Sequence, residues 1–213
     1  MANGTHGRAW MKIVLIVEGK TERALLPFLR EFLRPRLSSM PAIDALPHDG
    51  RVPTEGKLRR VVSNLLSGAR AADHVIALTH VYTGSQPPEF QDASEAKTRM
   101  RQWVGPEPRF HPHAAQYDFE AWLLPYWPTI RRRAKHNQVR PTGHPESVNH
   151  NNPPAHRIKE IFEIGKGRDS YVKPRNAGRI LRTHGLDAAV HQGPELKALV
   201  NTILRLSGGD IIP

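Results

Sequence analysis

The chain has no cysteine, which removes disulfide frameworks, thiolate nucleophiles and cysteine-based zinc sites together. Aromatic residues are scarce at 7%, yet apolar residues still gather into runs, which argues against a wholly disordered basic chain. No apolar run approaches the roughly 20 residues of a bilayer span, and the polar N-terminus carries no signal-peptide core. The expectation is a soluble, cytoplasmic protein. Acid is also in short supply: 20 Asp plus Glu face 31 Lys plus Arg, a formal charge of +11. Such an excess suits a polyanionic partner, nucleic acid first and an anionic membrane second, but it describes attraction and specifies no reaction. Several catalytic signatures are missing too. There is no G-x-x-x-x-G-K-[ST] loop, no G-x-S-x-G elbow and no G-x-G-x-x-G after a strand.

At 213 residues one domain can bury roughly two-thirds of its unfolded surface. Residues 1–10 lack periodicity and read as a disordered extension, with a possible start at Met11. A single α/β domain is expected over 11–213. Residues 12–17 (KIVLIV) form a short β-branched apolar run, the pattern of a buried central strand. Thr21 can cap the helix that follows, and Pro27 predicts a kink or restart within it. Residues 35–55 read as loop with one edge strand. A helix is expected over 57–71, a second buried strand over 74–79, a helix over 93–104 and a strand over 110–117. Asp118 then opens a short helix. Residues 125–154 read as a basic loop containing Arg131, Arg132 and Arg133. Three helices close the chain, over 155–164, 174–184 and 194–206; Pro174 and Pro194 suit first turns and Gly208 can end the last. This order predicts an α/β fold with a mainly parallel sheet and a helical C-terminal part.

The local pattern with most chemical content is strand, Glu18-Gly19-x-x-Glu22, helix. Ligands of open α/β sheets bind beyond the carboxyl ends of the strands. Gly19 would allow a tight turn there, and two carboxylates could hold a hard divalent cation, or one could act as general base. Equally, Glu22 could complement a helix dipole and Glu18 could be a solvated strand end. The second strand delivers His80 and Tyr82 to the same rim, where His80 is a candidate ligand or a hydrogen-bonded surface group. Asp118 and Glu120 are a third acidic point. On a regular helix they diverge by about 200°, so they can share an ion only across an irregular turn. His111-Pro112-His113 raises a zinc site with His80, although Pro112 separates the imidazoles and no H-x-x-x-H helix accompanies them. Lys166, Arg168, Lys173, Arg175, Arg179 and Arg182 are either phosphate contacts or a solvated helical face.

The blocks "IVEGKTERALLPFL", "ALTHVYTG", "RFHPHAAQYDFEAWLLPYW", "PESVNHNNPPAHRIKEIF" and "YVKPRNAGRIL" resemble a family of small stand-alone Toprim-like proteins. That family is the domain of unknown function numbered 4276, related to the overcoming-lysogenisation-defect nucleases. The resemblance runs from about residue 11 to 209. It implies a Toprim-like, Rossmann-like fold and a metal-dependent phosphodiesterase acting on DNA or RNA, with Mg²⁺ or Mn²⁺ as cofactor. Glu18 would be general base or metal ligand. Glu22, Asp118 and Glu120 would be further ligands, and Lys173 would stabilise transition-state charge. Lys20, Lys166, Arg168, Arg175 and Arg179 would contact nucleic acid. Relatives of this kind imply anti-phage defence and an ATPase partner; a homo-oligomer is a further expectation. One position departs from the pattern. His80 stands where the family has Asp, and imidazole is a poor ligand for Mg²⁺. A disabled nuclease, a changed metal preference and a non-catalytic subunit holding nucleic acid or an ATPase partner therefore all remain open.

Overall fold

Short β-branched runs alternate with amphipathic helices, and a computed structural model describes how they assemble over residues 10–48, 50–81, 89–147, 153–165 and 170–213. The strands are β1 (Lys12–Val17), β2 (Ala42–Pro47), β3 (His74–His80) and β4 (Phe110–Ala115). They form one sheet in the order β2-β1-β3-β4, and every neighbouring pair is parallel. The result is an α/β, Rossmann-like architecture: a parallel sheet flanked by helices.

β1 lies inside the sheet and is buried on both faces, which is why its sequence is a continuous apolar run. Ile13, Leu15 and Val17 belong to one core cluster, whereas Val14 and Ile16 belong to another. This period-two split follows from the pleat. The first core takes in α1 (Lys20–Leu33), α6 (Lys173–His184) and α8 (Pro194–Leu206). The second is closed by α2 (Glu55–Leu65) and α3 (Ala93–Val104) on the opposite face. The remaining helices are α4 (Trp127–Ala134), α5 (Pro154–Ile164) and α7 (Asp187–Gln192). A 3₁₀ segment, Phe119–Tyr126, leads directly into α4. Among the described residues no helix is long and apolar enough to cross a membrane.

Several local expectations are corrected. Helix α1 runs unbroken through Pro27, because Pro27 and Arg23 both lie on the exposed face, where the carbonyl that Pro27 cannot engage is open to water. Helix α2 starts at Glu55 and stops at Leu65, short of the expected end. The chain turns there through Gly68, whose φ of +84° favours glycine. β3 extends one residue further than expected, to His80, and β4 stops two residues earlier, at Ala115. The stretch read as a basic loop contains α4, with Pro128 in its first turn, and α7 is an additional helix near the C-terminus.

Candidate functional site

Because all four strands run the same way, their carboxyl ends share one edge. β1 is flanked by β2 on one side and β3 on the other, so the chain reverses its direction of winding at β1. Crevices at such switch points are where α/β sheets bind ligands. Val17 of β1 lies in register with Leu78 of β3, which brings Glu18, just past the end of β1, beside His80, the last residue of β3.

Glu18 and Glu22 close on the ring of His80 from two sides. Nδ1 of His80 lies 3.2 Å from Oε2 of Glu18, and Nε2 lies 3.2 Å from Oε1 of Glu22. The other Glu18 oxygen accepts hydrogen bonds from the Thr79 hydroxyl (2.6 Å) and the His80 backbone N–H (2.9 Å). Glu22 accepts a further bond from the Gly19 N–H at 2.9 Å. All three side chains are buried. Burial alone would drive His80 toward its neutral form, but hydrogen bonding and charge from the two glutamates outweigh it and raise its pKa to about 10. Burial likewise pushes both carboxyls up, and the hydrogen bonds and positive charge of His80 bring them below the usual glutamate range. The group is a glutamate–imidazolium–glutamate clasp. Gly19 has an extended backbone, φ −164°, that any residue adopts; its part is the N–H given to Glu22.

A second acidic pair adjoins the clasp. Asp118 caps the 3₁₀ segment by accepting from the Glu120 N–H (3.1 Å), and its other oxygen accepts from the Ala155 N–H (3.1 Å) at the start of α5. Tyr117, immediately before it, has φ +71°, a strained value for a bulky residue. The turn is therefore the irregular one that allows Asp118 and Glu120 to face a common space. Glu120 accepts from the Tyr171 hydroxyl at 2.9 Å and lies 3.5 Å from Lys173 Nζ. Burial and the Asp118 charge, only partly offset by Lys173 and Tyr171, raise Glu120 to about 7. Burial also raises Asp118, against the opposing charges of Lys173 and His80. Glu120 can thus accept or give up a proton near neutral pH, which is the chemical capacity of a general base or acid.

Six of the expected site residues, Glu18, Glu22, His80, Asp118, Glu120 and Lys173, are brought to one edge. Divalent metal is another matter. Glu18 and Glu22 are already closed around a cationic ring, and a metal ion between them would meet that positive charge. Among the described residues no group of three or more His, Asp or Glu side chains is arranged to hold a metal ion. The residues as they stand do not fit Mg²⁺ or Mn²⁺.

The histidine-based zinc arrangement is also corrected. His111 packs beside His74, with Nε2 3.2 Å from His74 Nδ1. His113 is buried against Thr202, 3.1 Å away, and burial together with nearby cations lowers its pKa to about 3. His80 is four residues further along the sheet than His111, since Ile76 pairs with His111 and His80 with Ala115. At about 3.3 Å per residue the three imidazoles cannot share an ion.

Lys20 is exposed at the start of α1, Arg175 is exposed on α6 and Arg179 is half-buried there. Lys166 and Arg168, like Tyr82, lie outside the described residues. Two partners were not anticipated. Thr79 is marked in the sequence only by preceding His80, and the contact of Tyr171 with Glu120 depends on the docking of α6.

Fold and site together define an α/β protein of Rossmann-like architecture with a charged nest at the carboxyl edge of its parallel sheet. The family described as a domain of unknown function (DUF4276) matches residues 17–204, and the chain belongs to it. No curated protein and no solved structure matches the chain.

Proposed function

We propose that the protein is built on a Toprim-like nuclease scaffold directed at DNA or RNA phosphodiesters, serving anti-phage defence, with His80 holding its carboxylate nest closed. The observation that carries this reading is the clasp itself. Four buried carboxylates, a lysine and a tyrosine gathered at a strand-end crevice cost stability, and a purely structural core has no use for them. A carboxylate at position 80 in place of the imidazolium would open the nest to Mg²⁺ or Mn²⁺, for which oxygen ligands are suited. Lys173, half exposed beside Glu120, is positioned to meet a phosphate oxygen, and the surplus of positive charge on the chain attracts the polyanion.

A second reading has support from the same clasp. With Glu18 and Glu22 neutralised by His80, the chain would serve as a non-catalytic subunit that holds nucleic acid or an ATPase partner. The two readings separate on one comparison. End-labelled DNA and RNA are incubated with wild type, His80→Asp, and His80→Asp combined with Glu18→Ala, each with Mg²⁺ or Mn²⁺. The nuclease scaffold requires at least tenfold faster cleavage by His80→Asp and its loss in the double variant. Equal cleavage by all three would overturn it. Salt-sensitive binding that survives EDTA and Glu18→Ala, with no turnover in any variant, selects the binding subunit.

A further inference from the structure

We infer that a nucleic-acid backbone lies across the outer face of α1 and α6, on two adjacent rows of basic side chains; the inference rests on the nucleic-acid reading above. The two helices are remote in sequence but pack side by side on one face of the sheet. Both begin at the carboxyl edge, α1 directly after Glu18-Gly19 and α6 at Lys173, which lies 3.5 Å from Glu120. Their far ends stay together as well. Arg36, just past α1, pairs with Asp187, just past α6, at 3.3 Å. The helices therefore run in the same direction, with axes about 8–10 Å apart.

Each helix turns its cations away from the core. At about 100° per residue, Lys20, Arg23 and Arg34 lie within about 60° of one another, opposite the buried Leu25, Phe28, Leu29 and Phe32. Arg175, Arg179 and Arg182 likewise share about 60° of α6, opposite the buried Ala177, Ile180 and Leu181. Lys20, Arg23, Arg34, Arg175 and Arg182 are exposed, and Glu31 is the single exposed acid on the two helices. No ion pair among the described residues engages any of those five cations. A helix dipole accounts for some of them and not for others. Arg34 and Arg182 sit at C-terminal ends, where positive charge is favourable. Lys20 and Arg175 sit in first turns, where the dipole opposes a cation and favours an anion; α6 has no acid in its first turn. First-turn cations weaken their helices, and together with the helix N-termini they attract phosphate. Lys20 to Arg34 spans about 21 Å at 1.5 Å per residue, the length of about six phosphates at the 3.4 Å spacing of one B-form strand. An extended cationic face of this size fits a linear polyanion.

The test is fluorescence anisotropy with labelled DNA and RNA, single-stranded and duplex, in EDTA and over a range of salt. One variant carries Arg23→Gln and Arg34→Gln on the α1 row, and a second carries Arg175→Gln and Arg182→Gln on the α6 row. A control with the same charge change carries Lys57→Gln and Arg60→Gln, at exposed positions on α2, across the sheet. Single variants Arg23→Gln and Arg182→Gln serve if circular dichroism shows that either pair does not fold. Each row pair should weaken binding at least fivefold and reduce the salt slope by about 2, while the α2 pair weakens it less than twofold. Nucleic-acid binding that is unchanged in either row pair, or reduced equally by the α2 pair, overturns the shared face and leaves the nucleic-acid reading standing. Wild type that binds phosphatidylserine vesicles but neither DNA nor RNA overturns both.

Discussion

His80 and Glu18 face each other across neighbouring parallel strands, with the imidazole Nδ1 3.2 Å from a carboxylate oxygen and both side chains almost wholly buried. The ring holds its proton because Glu18 and Glu22 surround it, raising its pKa to about 10 against about 6.5 in an unfolded chain. Between those values the unfolded state releases a proton that the folded state keeps. The stabilisation is therefore complete below about pH 6.5 and is lost as pH rises toward 10. The melting temperature of wild type should fall by several degrees over this window, and that of His80→Gln should fall less. Parallel curves would show that His80 is neutral in the folded protein.

Glu120 carries the opposite design problem. Burial and Asp118 raise it to about 7, above its unfolded value, so its proton-linked stabilisation is present below about pH 4.5 and lost as pH rises through 7. At pH 8 it must be ionised while buried. Glu120→Gln keeps an acceptor for Tyr171 without the charge. We expect a melting temperature at pH 8 equal to wild type or a few degrees higher, where about 1 kcal/mol corresponds to roughly 2–4 °C. A large fall would mean that the ionised pair with Lys173 is net stabilising.

Glu146 is a buried carboxylate outside the nest. It accepts from the Trp122 indole N–H at 2.8 Å and from the Glu195 backbone N–H at 3.0 Å, so it satisfies a buried donor and the start of α8 together. Glu146→Ala leaves both unpaired and should cost about 2–4 kcal/mol in urea unfolding. Glu146→Gln should recover part of that loss. An alanine variant within 0.5 kcal/mol of wild type would show that water replaces the carboxylate.

Two glycines should respond in opposite directions. A Cβ on Gly165 would lie 1.9 Å from the Ala134 carbonyl oxygen and 2.9 Å from that of Ile161, both backbone atoms that cannot step aside. Gly165→Ala should destabilise by several kcal/mol, on the order of an overpacked core. Gly178, within α6, has open space around the same position, so Gly178→Ala should stabilise by about 0.5–1 kcal/mol. Chemical denaturation of the two variants side by side checks both. Similar effects would mean that α4 and α5 are looser at this crossing than their packing implies.

The elements most legible in the sequence are those whose pattern is set locally. β1 (Lys12–Val17), α3 (Ala93–Val104) and α8 (Pro194–Leu206) keep the expected bounds, since a β-branched run, an Asp92 cap bonded to the Glu95 N–H and a first-turn proline each act within a few residues. Helix α4 was obscured by Pro125, Pro128 and three arginines. Its buried residues include Trp127, Ile130 and Ala134, whose spacing is helical, but they become decisive only once the core against which they pack exists. Helix α7, with six residues, is too short to display a period.

What the sequence by itself determined is the set of chemical groups and the strand ends that carry them. Glu18 and His80 follow apolar runs, and Asp118 precedes a short helical pattern; each of these positions is a local property of the chain. Only the tertiary structure decided what the groups do to one another. His80 is 62 residues from Glu18, and parallel pairing of β1 with β3 makes it a buried cation between two glutamates instead of a solvated strand end. The docking of α6 sets Tyr171 and Lys173 on Glu120, 51 residues from that tyrosine, and shifts its carboxyl toward neutrality. Charge on an isolated residue follows from its type. Charge in this nest follows from burial and neighbours, which the chain acquires only on folding.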